Sequence, residues 1–254
     1  MRLLLINPNT TASMTEKAAA AARRVASPGT EIVAVNPEAG PASIEGYYDE
    51  AMSLSGLLGL IAGRDDYDAV IIACFDDTGL DAARCLTDKP VIGIGEAAFH
   101  MAAMLSNSFS VVTTLGRSVP AISHNLARYG LAARCARVRA SEIPVLDLED
   151  PLSDACSRIG HEVARAILED RAEAIVLGCA GMTDLARALS QAHGLPVLDG
   201  VVCAVALAEG MVRLGLATSR LGGYAPPRFD KSAPVRPGRG PAPEPGRAGS
   251  VSPD

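Results

Sequence analysis

The chain has 254 residues, 48% hydrophobic and 20% charged, which is enough for one large or two small domains with complete cores. Its formal net charge of −6 and its lack of tryptophan argue against nucleic acid or an anionic membrane as a partner. No apolar run approaches the roughly 18 residues of a membrane helix. The short apolar run before Asn7 and Pro8 predicts a first strand instead of a signal peptide, so we expect a cytoplasmic protein.

Strand and helix patterns alternate along the N-terminal half, as in an α/β protein. Residues 3–6 predict a strand that ends in the polar turn Asn7–Thr11. The loop over residues 36–48 is long for a strand-to-helix connection, and long ordered loops are often functional. The other elements predicted here are helices to about Val25, over about Asp49–Ala62, Leu80–Leu86 and Glu96–Ser106, and strands over Glu31–Val35 and Val91–Ile94.

The strongest single signal is the stretch Ala69–Thr78, which reads AVIIACFDDT. Its apolar, β-branched start predicts a strand buried on both faces, and Cys74 follows where that strand should end. Asp76 and Asp77 are residue types of a helix N-terminus. Cys74 should therefore lie at the carboxyl edge of a parallel sheet, which is where open α/β sheets bind ligands.

The same stretch recurs later in the chain. Ala174–Thr183 reads AIVLGCAGMT and aligns with Ala69–Thr78 without gaps, so that Cys179 falls on Cys74 with an offset of 105 residues. Apolar runs upstream and Pro-Val strands downstream repeat at similar offsets, which predicts two similar α/β halves. The second half is predicted to hold strands over Phe109–Thr113, Ala136–Arg139, the Cys179 stretch and Val197–Leu198, and helices ending near Tyr129, over about Leu152–Glu169, after Thr183 and over Val201–Leu216.

The composition changes at Gly222. The segment 222–254 holds eight of the 17 prolines and shows no apolar periodicity. We expect it to be a disordered tail rich in proline and glycine.

The cysteines fall into two groups. None lies in a C-x-x-C pair, so neither a zinc ribbon nor a thioredoxin motif is indicated. Cys74 and Cys179 each end a central strand and precede a predicted helix, whose N-terminus would lower the pKa of the thiol. The others are interpreted as small buried hydrophobes: Cys85, Cys135, Cys156 and Cys203.

Two thiols that face each other across a cleft suit one reaction. One thiolate takes a proton from a carbon atom, and the opposite thiol gives a proton to the other face, so that the product is the mirror image. The carbanion would be held as an enolate by hydrogen-bond donors set at its oxygen. The alternative is that both cysteines only fill space at strand ends.

Other catalytic signals are weak. Gly93–Ala98 reads GIGEAA and imitates a dinucleotide fingerprint, but the first strand-to-helix turn, where that fingerprint normally lies, reads NPNTT. The four histidines have no metal-ligand spacing. We therefore expect neither a cofactor nor a metal ion.

At the level of motifs the chain resembles the aspartate/glutamate racemase superfamily, and within it the hydantoin racemase and allantoin racemase group. The resemblance covers about residues 1–221 and leaves the tail out. The motifs that carry it are INPNTTASMT (Ile6–Thr15), PASIEGYYDEAM (Pro41–Met52), IIACFDD (Ile71–Asp77), VIGIGEAA (Val91–Ala98), FSVVTTLGRSVP (Phe109–Pro120), IVLGCAGM (Ile175–Met182) and PVLDGV (Pro196–Val201).

The resemblance implies a cofactor-independent racemase that interconverts D- and L-5-substituted hydantoins at C5, with Cys74 and Cys179 as its two acid/bases. It also implies two pseudo-symmetric Rossmann-like (flavodoxin-like) parallel-sheet domains with the active site in the cleft between them. The first domain would hold residues 1–97 and 201–221, and the second would hold 98–200. We expect a small-molecule substrate and a homo-oligomer. The implied substrate contacts are Asn7, Ser43, Phe75, Thr113, Thr114, Gly181 and Met182.

Several alternatives stay open. Allantoin is a 5-ureidohydantoin, so an allantoin racemase fits the same motifs. Aspartate/glutamate-type racemases and maleate isomerases also belong to this superfamily, although an amino-acid racemase must anchor a charged carboxylate and ammonium. A protein that binds a small molecule without chemistry would also place two α/β lobes around a cleft.

Overall fold

The computed structural model describes residues 1–150, 152–183 and 185–228, and it contains two parallel four-stranded sheets. The first sheet has the strand order β2-β1-β3-β4 and the second has the order β6-β5-β7-β8. Because the same order occurs twice, the prediction of two similar flavodoxin-like α/β halves is confirmed. The strands are β1 (Arg2–Ile6), β2 (Glu31–Val35), β3 (Ala69–Ile72), β4 (Val91–Gly93), β5 (Phe109–Thr113), β6 (Cys135–Ala140), β7 (Ala174–Gly178) and β8 (Val197–Asp199).

Helices cover both sheets, as parallel strands require, since each crossover places a helix on a face of the sheet. None of those in the described residues is long and apolar enough to cross a membrane. The helices are α1 (Ala12–Val25), α2 (Tyr47–Ala62), α3 (Leu80–Leu86), α4 (Ile94–Leu105), α5 (Val119–Arg128), α6 (Ala155–Glu169), α7 (Ala186–His193) and α8 (Gly200–Arg213).

The last helix is shorter than the sequence predicts. It was expected to reach Leu216, but it ends at Arg213. Gly215 adopts a left-handed φ of 65°, and the amide of Leu216 donates back to the carbonyl of Met211 at 3.0 Å. This is the glycine-dependent stop of a helix, in which the reversed hydrogen bond satisfies a carbonyl of the last turn.

Strand register brings the ends of neighbouring strands together. In the first sheet Ile6 of β1 pairs with Ile72 of β3, so the turns that follow both strands lie side by side. In the second sheet Thr113 of β5 pairs with Gly178 of β7, immediately before Cys179. Each cysteine therefore follows the central strand β3 or β7 at the carboxyl edge of its sheet, as predicted.

The two halves share one apolar core. α4 contacts β4 of the first sheet and β7 of the second, and α8 contacts β3 and β7. Phe99 on α4 packs edge-on against Phe75 at 5.3 Å between ring centroids and stacks on Phe109 at 6.2 Å. The domain boundaries predicted at residues 97/98 and 200/201 fall inside α4 and at the first residue of α8, and they stay a prediction.

The start of the expected tail is ordered. Residues Gly222–Tyr224 form a single turn of 3-10 helix against α3. The Tyr224 hydroxyl donates to Asp81 Oδ1 at 3.0 Å, and the Cys85 thiol donates to the Gly223 carbonyl at 3.4 Å. The packed chain thus continues past residue 221, because Tyr224 has partners on α3 that the local composition does not reveal. The rest of the tail, from residue 229, lies outside the described residues.

Candidate active site

A small cavity lies between the carboxyl edges of the two sheets, and both cysteines line it. Its free volume is about 40 Å³, which is room for a few water molecules. The predicted site residues that line it are Asn7, Cys74, Phe75, Thr113, Thr114 and Cys179; the sequence prediction missed Asn9, Met14, Ile44, Ala73, Asp76, Ser118, Val145, Gly178 and Ala180.

Ser43, Gly181 and Met182 are not in the wall of this cavity. Ser43 is half-buried beside Ile44, which does line it. A Cβ on Gly181 would lie 3.7 Å from the Cys179 sulfur and only 2.8 Å from Leu148, so this glycine allows the close packing behind the thiol. Met182 is fully buried in the apolar cluster beneath the second sheet. A role for these three in substrate binding stays a prediction.

The two cysteines sit in equivalent turns. The Asp77 amide donates to the Cys74 carbonyl at 3.0 Å, and the Met182 amide donates to the Cys179 carbonyl at 3.1 Å. The second amide after each cysteine donates to its sulfur, from Asp76 in the first half and from Gly181 in the second.

The surroundings of the two sulfurs differ in one hydroxyl group. Thr78 Oγ1 donates to the Cys74 sulfur at 3.3 Å. Thr183, which occupies the equivalent position, donates instead to the Ala180 carbonyl. The first thiol thus has a side-chain donor that the second lacks.

Burial raises the pKa of both thiols. The pKa of Cys179 reaches about 11, and that of Cys74 is raised further. The negative charge of Asp76 adds to both increases, while the Thr78 hydroxyl and the Gly181 amide oppose them at Cys74 and Cys179 respectively. The expectation that helix N-termini lower these pKa values is therefore wrong, because the short turns after the cysteines do not compensate for the loss of water.

Asparagine side chains form the wall next to β1. Asn7 Nδ2 donates to Asn9 Oδ1 at 2.8 Å and to Thr15 Oγ1 at 3.0 Å. Among the residues that the structure describes, Asn9 Nδ2 reaches only the sulfur of Met14 at 3.7 Å. A thioether is a weak acceptor, so the Asn9 amide keeps its capacity to donate to a ligand. The polar NPNTT turn carried the only sequence signal for Asn9.

Two threonines form the wall next to β5. Thr113 Oγ1 donates to the Gly178 carbonyl at 2.9 Å, which ties the end of β5 to β7. The Thr114 hydroxyl has no hydrogen-bond partner within the described part of the chain, although Thr114 is buried. Thr114 is thus a second side chain with a donor free for a ligand.

The glycines of the GIGEAA motif make room for Asp77. The Asp77 carboxylate accepts hydrogen bonds from the amides of Gly95 at 2.9 Å and Glu96 at 2.8 Å. A Cβ on Gly93 would lie 2.1 Å from Asp77 Oδ1. The N-terminus of α4 is therefore capped by a carboxylate from the Cys74 turn, which also explains why α4 begins at Ile94, two residues earlier than predicted.

Contacts between the halves surround the cavity. Asn125 Nδ2 on α5 donates to the Asp76 carbonyl at 2.7 Å, and the Val145 amide donates to Glu45 Oε1 at 2.9 Å. Within the described residues, no group of three or more histidine, cysteine or acidic side chains is placed to hold a metal ion. The arrangement therefore offers two thiols, amide and hydroxyl donors and one carboxyl group to a small ligand.

Comparison with known proteins identifies the family. A sequence model described as Asp/Glu/Hydantoin racemase matches residues 3–208. The hydantoin racemase of Rhizobium meliloti is 48% identical over 235 residues, which cover 92% of this chain and 98% of that protein.

Two solved structures are equally similar. The allantoin racemase from Klebsiella pneumoniae has 49% identity and a TM-score of 0.88, with 90% of this chain and 94% of that chain covered. The allantoin racemase from Pseudomonas fluorescens has 46% identity and a TM-score of 0.88, with 91% and 99% covered. The family and the enzyme class predicted from the sequence are thereby confirmed: the chain belongs to the Asp/Glu/hydantoin racemase family of isomerases.

Proposed function

We propose that this protein is a cofactor-independent racemase of 5-substituted hydantoins that uses Cys74 and Cys179 as its two acid/bases. The observation that carries the proposal is that both thiols line one small cavity from equivalent positions on two similar sheets. A thiol on each side of a flat ring is the arrangement that a two-base racemisation requires.

The reaction balances without an added reagent. The thiolate of one cysteine takes the proton from C5, and the electron pair of that C–H bond moves onto the adjoining carbonyl to form an enolate. The thiol of the other cysteine then gives its proton to the opposite face of C5. The product is the other enantiomer, and the two cysteines have exchanged roles.

The enolate needs hydrogen-bond donors in fixed positions. The amide of Asn9 and the hydroxyl of Thr114 line the cavity and have no strong partner of their own. We assign these two the task of holding the ring oxygens. Asn7, whose amide donates to Asn9 and Thr15, stays a candidate that positions Asn9. Phe75 and Ile44 supply apolar surface to the cavity. Ser43, Gly181 and Met182 lie outside its wall and stay candidates for substrate binding.

Allantoin is the second candidate substrate. The supporting observations are the two allantoin racemase structures with a TM-score of 0.88 and the polar side chains in the cavity wall. A ureido substituent would need such polar partners, whereas an alkyl or aryl substituent would need the apolar ones.

The test is to follow the optical rotation of single enantiomers of 5-methylhydantoin, 5-benzylhydantoin and allantoin with the purified protein. Cys74→Ser and Cys179→Ser should each abolish racemisation, while the exposed Cys156→Ser is the matched control and should retain it. A single serine variant can still exchange the C5 hydrogen of one enantiomer with deuterium, because one base acts alone.

Two outcomes would contradict the proposal. Full racemisation by either serine variant would exclude the two-base mechanism. Tight binding of the whole substrate panel at constant rotation would indicate a binding protein instead of an enzyme.

A further inference from the structure

The carboxyl group of Asp76 lies in the wall of the cavity, a second one from Glu50 lies beside it, and the two-cysteine mechanism uses neither. Asp76 lines the cavity two residues after Cys74. Glu50 comes from the first turn of α2, and its carboxyl group lies within hydrogen-bonding reach of that of Asp76. No donor among the described residues reaches the buried Glu50 Oε1. Because two carboxylates have only acceptors, a hydrogen bond between them requires a proton on one of the two.

The two carboxyl groups lack a balancing cation among the described residues. Neither Asp76 nor Glu50 forms an ion pair with a lysine or arginine in the described part of the chain. Burial and the charge of Glu50 raise the pKa of Asp76 to about 8, and burial also raises the pKa of Glu50. Both shifts favour the protonated form, which allows the two carboxyl groups to share a proton.

A negative charge at this place is costly for racemisation of an alkyl hydantoin. The reaction passes through an anionic enolate beside a thiolate, and Asp76 already raises the pKa of both thiols. A buried acceptor without a donor is unfavourable. A substrate that brings its own N–H donors would remove this cost.

A ureido group carries N–H donors in the arrangement that a carboxylate accepts. It presents two parallel N–H groups from two nitrogen atoms, as a guanidinium group does, and a carboxylate can accept both at once. An alkyl or aryl substituent at C5 has no donor to offer.

The backbone of Asp76 fixes the position of its carboxyl group. Its amide donates to the Cys74 sulfur, and its carbonyl accepts from Asn125 at 2.7 Å. The substituent of a hydantoin is attached to C5, the same carbon whose proton Cys74 exchanges. The substituent must therefore lie close to the residues that flank the sulfur atoms, and Asp76 is one of them.

We propose that Asp76, supported by Glu50, is a specificity-determining residue that selects hydantoins whose 5-substituent carries N–H donors, the ureido group first among them. This inference rests on the proposed racemase function and names the substituent that the site prefers.

The test compares kcat/KM for racemisation of (S)-allantoin and of L-5-methylhydantoin. We expect the wild-type ratio to favour allantoin, and Asp76→Asn to lower that ratio at least about tenfold, because an amide replaces one of the two acceptors by a donor. Asp65→Asn, an exposed acidic residue on a loop of the same half, is the matched control and should keep the wild-type ratio.

A second measurement covers the case in which Asp76→Asn folds poorly. Allantoin binding to the inactive Cys179→Ser protein is measured by calorimetry, with and without Asp76→Ser, which removes the carboxyl group and adds no volume. Loss of allantoin affinity with the Asp76→Ser change, at an unaltered melting temperature, supports the assignment.

Failure of this inference is distinguishable from failure of the proposed function. A wild-type ratio that favours methylhydantoin, or an equal loss on both substrates in Asp76→Asn, would overturn it and would place Asp76 against the ring instead. Absence of racemisation of either substrate by the wild-type protein would overturn the proposed function itself.

Discussion

At the scale of single residues, the two thiols differ because, within the described residues, a hydroxyl group donates to Cys74 and none donates to Cys179. The Thr78 hydroxyl donates to the Cys74 sulfur at 3.3 Å, whereas the Thr183 hydroxyl donates to the Ala180 carbonyl. Burial raises the pKa of both thiols, that of Cys179 to about 11. A base with a raised pKa is ionised only at alkaline pH, so the reaction rate should follow the first ionisation of the pair.

We therefore predict that kcat/KM for L-5-methylhydantoin rises steadily from pH 7 to pH 10 once the uncatalysed rate has been subtracted. Coupling between the thiols raises the pKa of the second ionisation, so the decline of kcat/KM beyond its maximum occurs at higher pH. Thr78→Val should raise the pKa of Cys74 further and lower kcat/KM at pH 8 by about tenfold. Thr183→Val is the matched control, and its pH profile should not shift. A rate independent of pH between 7 and 9 would show that the thiols are not the bases.

Asp77 shows how one residue joins the site to the fold. Its φ of 51° is left-handed, a conformation that aspartate tolerates better than most residues. Its carboxylate caps α4 and accepts the Tyr129 hydroxyl from the second half at 2.7 Å. Burial raises the pKa of this carboxyl to about 7 against the effect of these hydrogen bonds. The Cys74 turn is thus held by both halves at once.

At the scale of elements, β6 depends on a buried arginine. Arg139 and Asp170 are both almost fully buried, and Arg139 donates two hydrogen bonds of 2.6 Å to the Asp170 carboxylate. Asp170 also accepts the hydroxyl of Ser110 on β5. The ion pair therefore links the edge strand β6 to β5 and to the end of α6.

Removing one partner of this pair should be far more costly than removing an exposed arginine. Arg139→Ala would leave Asp170 buried without its cation, and we predict a loss of about 3–5 kcal/mol in the free energy of unfolding. Arg137→Ala, an exposed position on the same strand, should cost less than about 0.5 kcal/mol. Urea denaturation of the three proteins measures both. Equal losses would mean that the ion pair does not hold β6.

The sequence predicted the apolar elements best. β2, α3 and β5 occur at the residues predicted, since their patterns are local. β6 was predicted from one apolar pair and is longer at both ends, because Arg139 is buried through an ion pair that the pattern does not show. Asp76 was missed in the site prediction for another reason: its residue type suggested a helix start, and only the fold brings it to Glu50.

The cysteines were found because of the internal repeat, which needs no structure to be seen. Asn9 and Ile44 were missed because their place in the cavity wall depends on the packing of distant segments. The strand order predicts which turns meet at the carboxyl edge of a parallel sheet. It does not predict which side chains of a turn point into the cavity.

At the scale of the whole molecule, contacts between the halves border the cavity. Its free volume of about 40 Å³ is room for only a few water molecules, and Ile44 and Val145 form part of its wall. Their segments are joined by the hydrogen bond from the Val145 amide to Glu45 and, nearby, by the contact of the Tyr47 hydroxyl with His124 at 3.1 Å. We expect the segment around Ile44 to separate from that around Val145 when the substrate enters, and the site to close when these hydrogen bonds re-form.

Glu45→Ala removes the acceptor of the Val145 amide and should weaken the closed state. A ligand that binds only the closed state loses apparent affinity in proportion to the population of that state. We predict that KM for the hydantoin rises about tenfold while kcat changes less than about threefold, since both thiols stay in the cavity and the charge of Glu45 is only a minor cause of the raised pKa of Cys179. Glu38→Ala, at an exposed position of the same loop, is the matched control and should leave both constants unchanged. Steady-state polarimetry of both variants measures the effect. A fall in kcat with an unchanged KM would instead place Glu45 among the groups that act on the transition state.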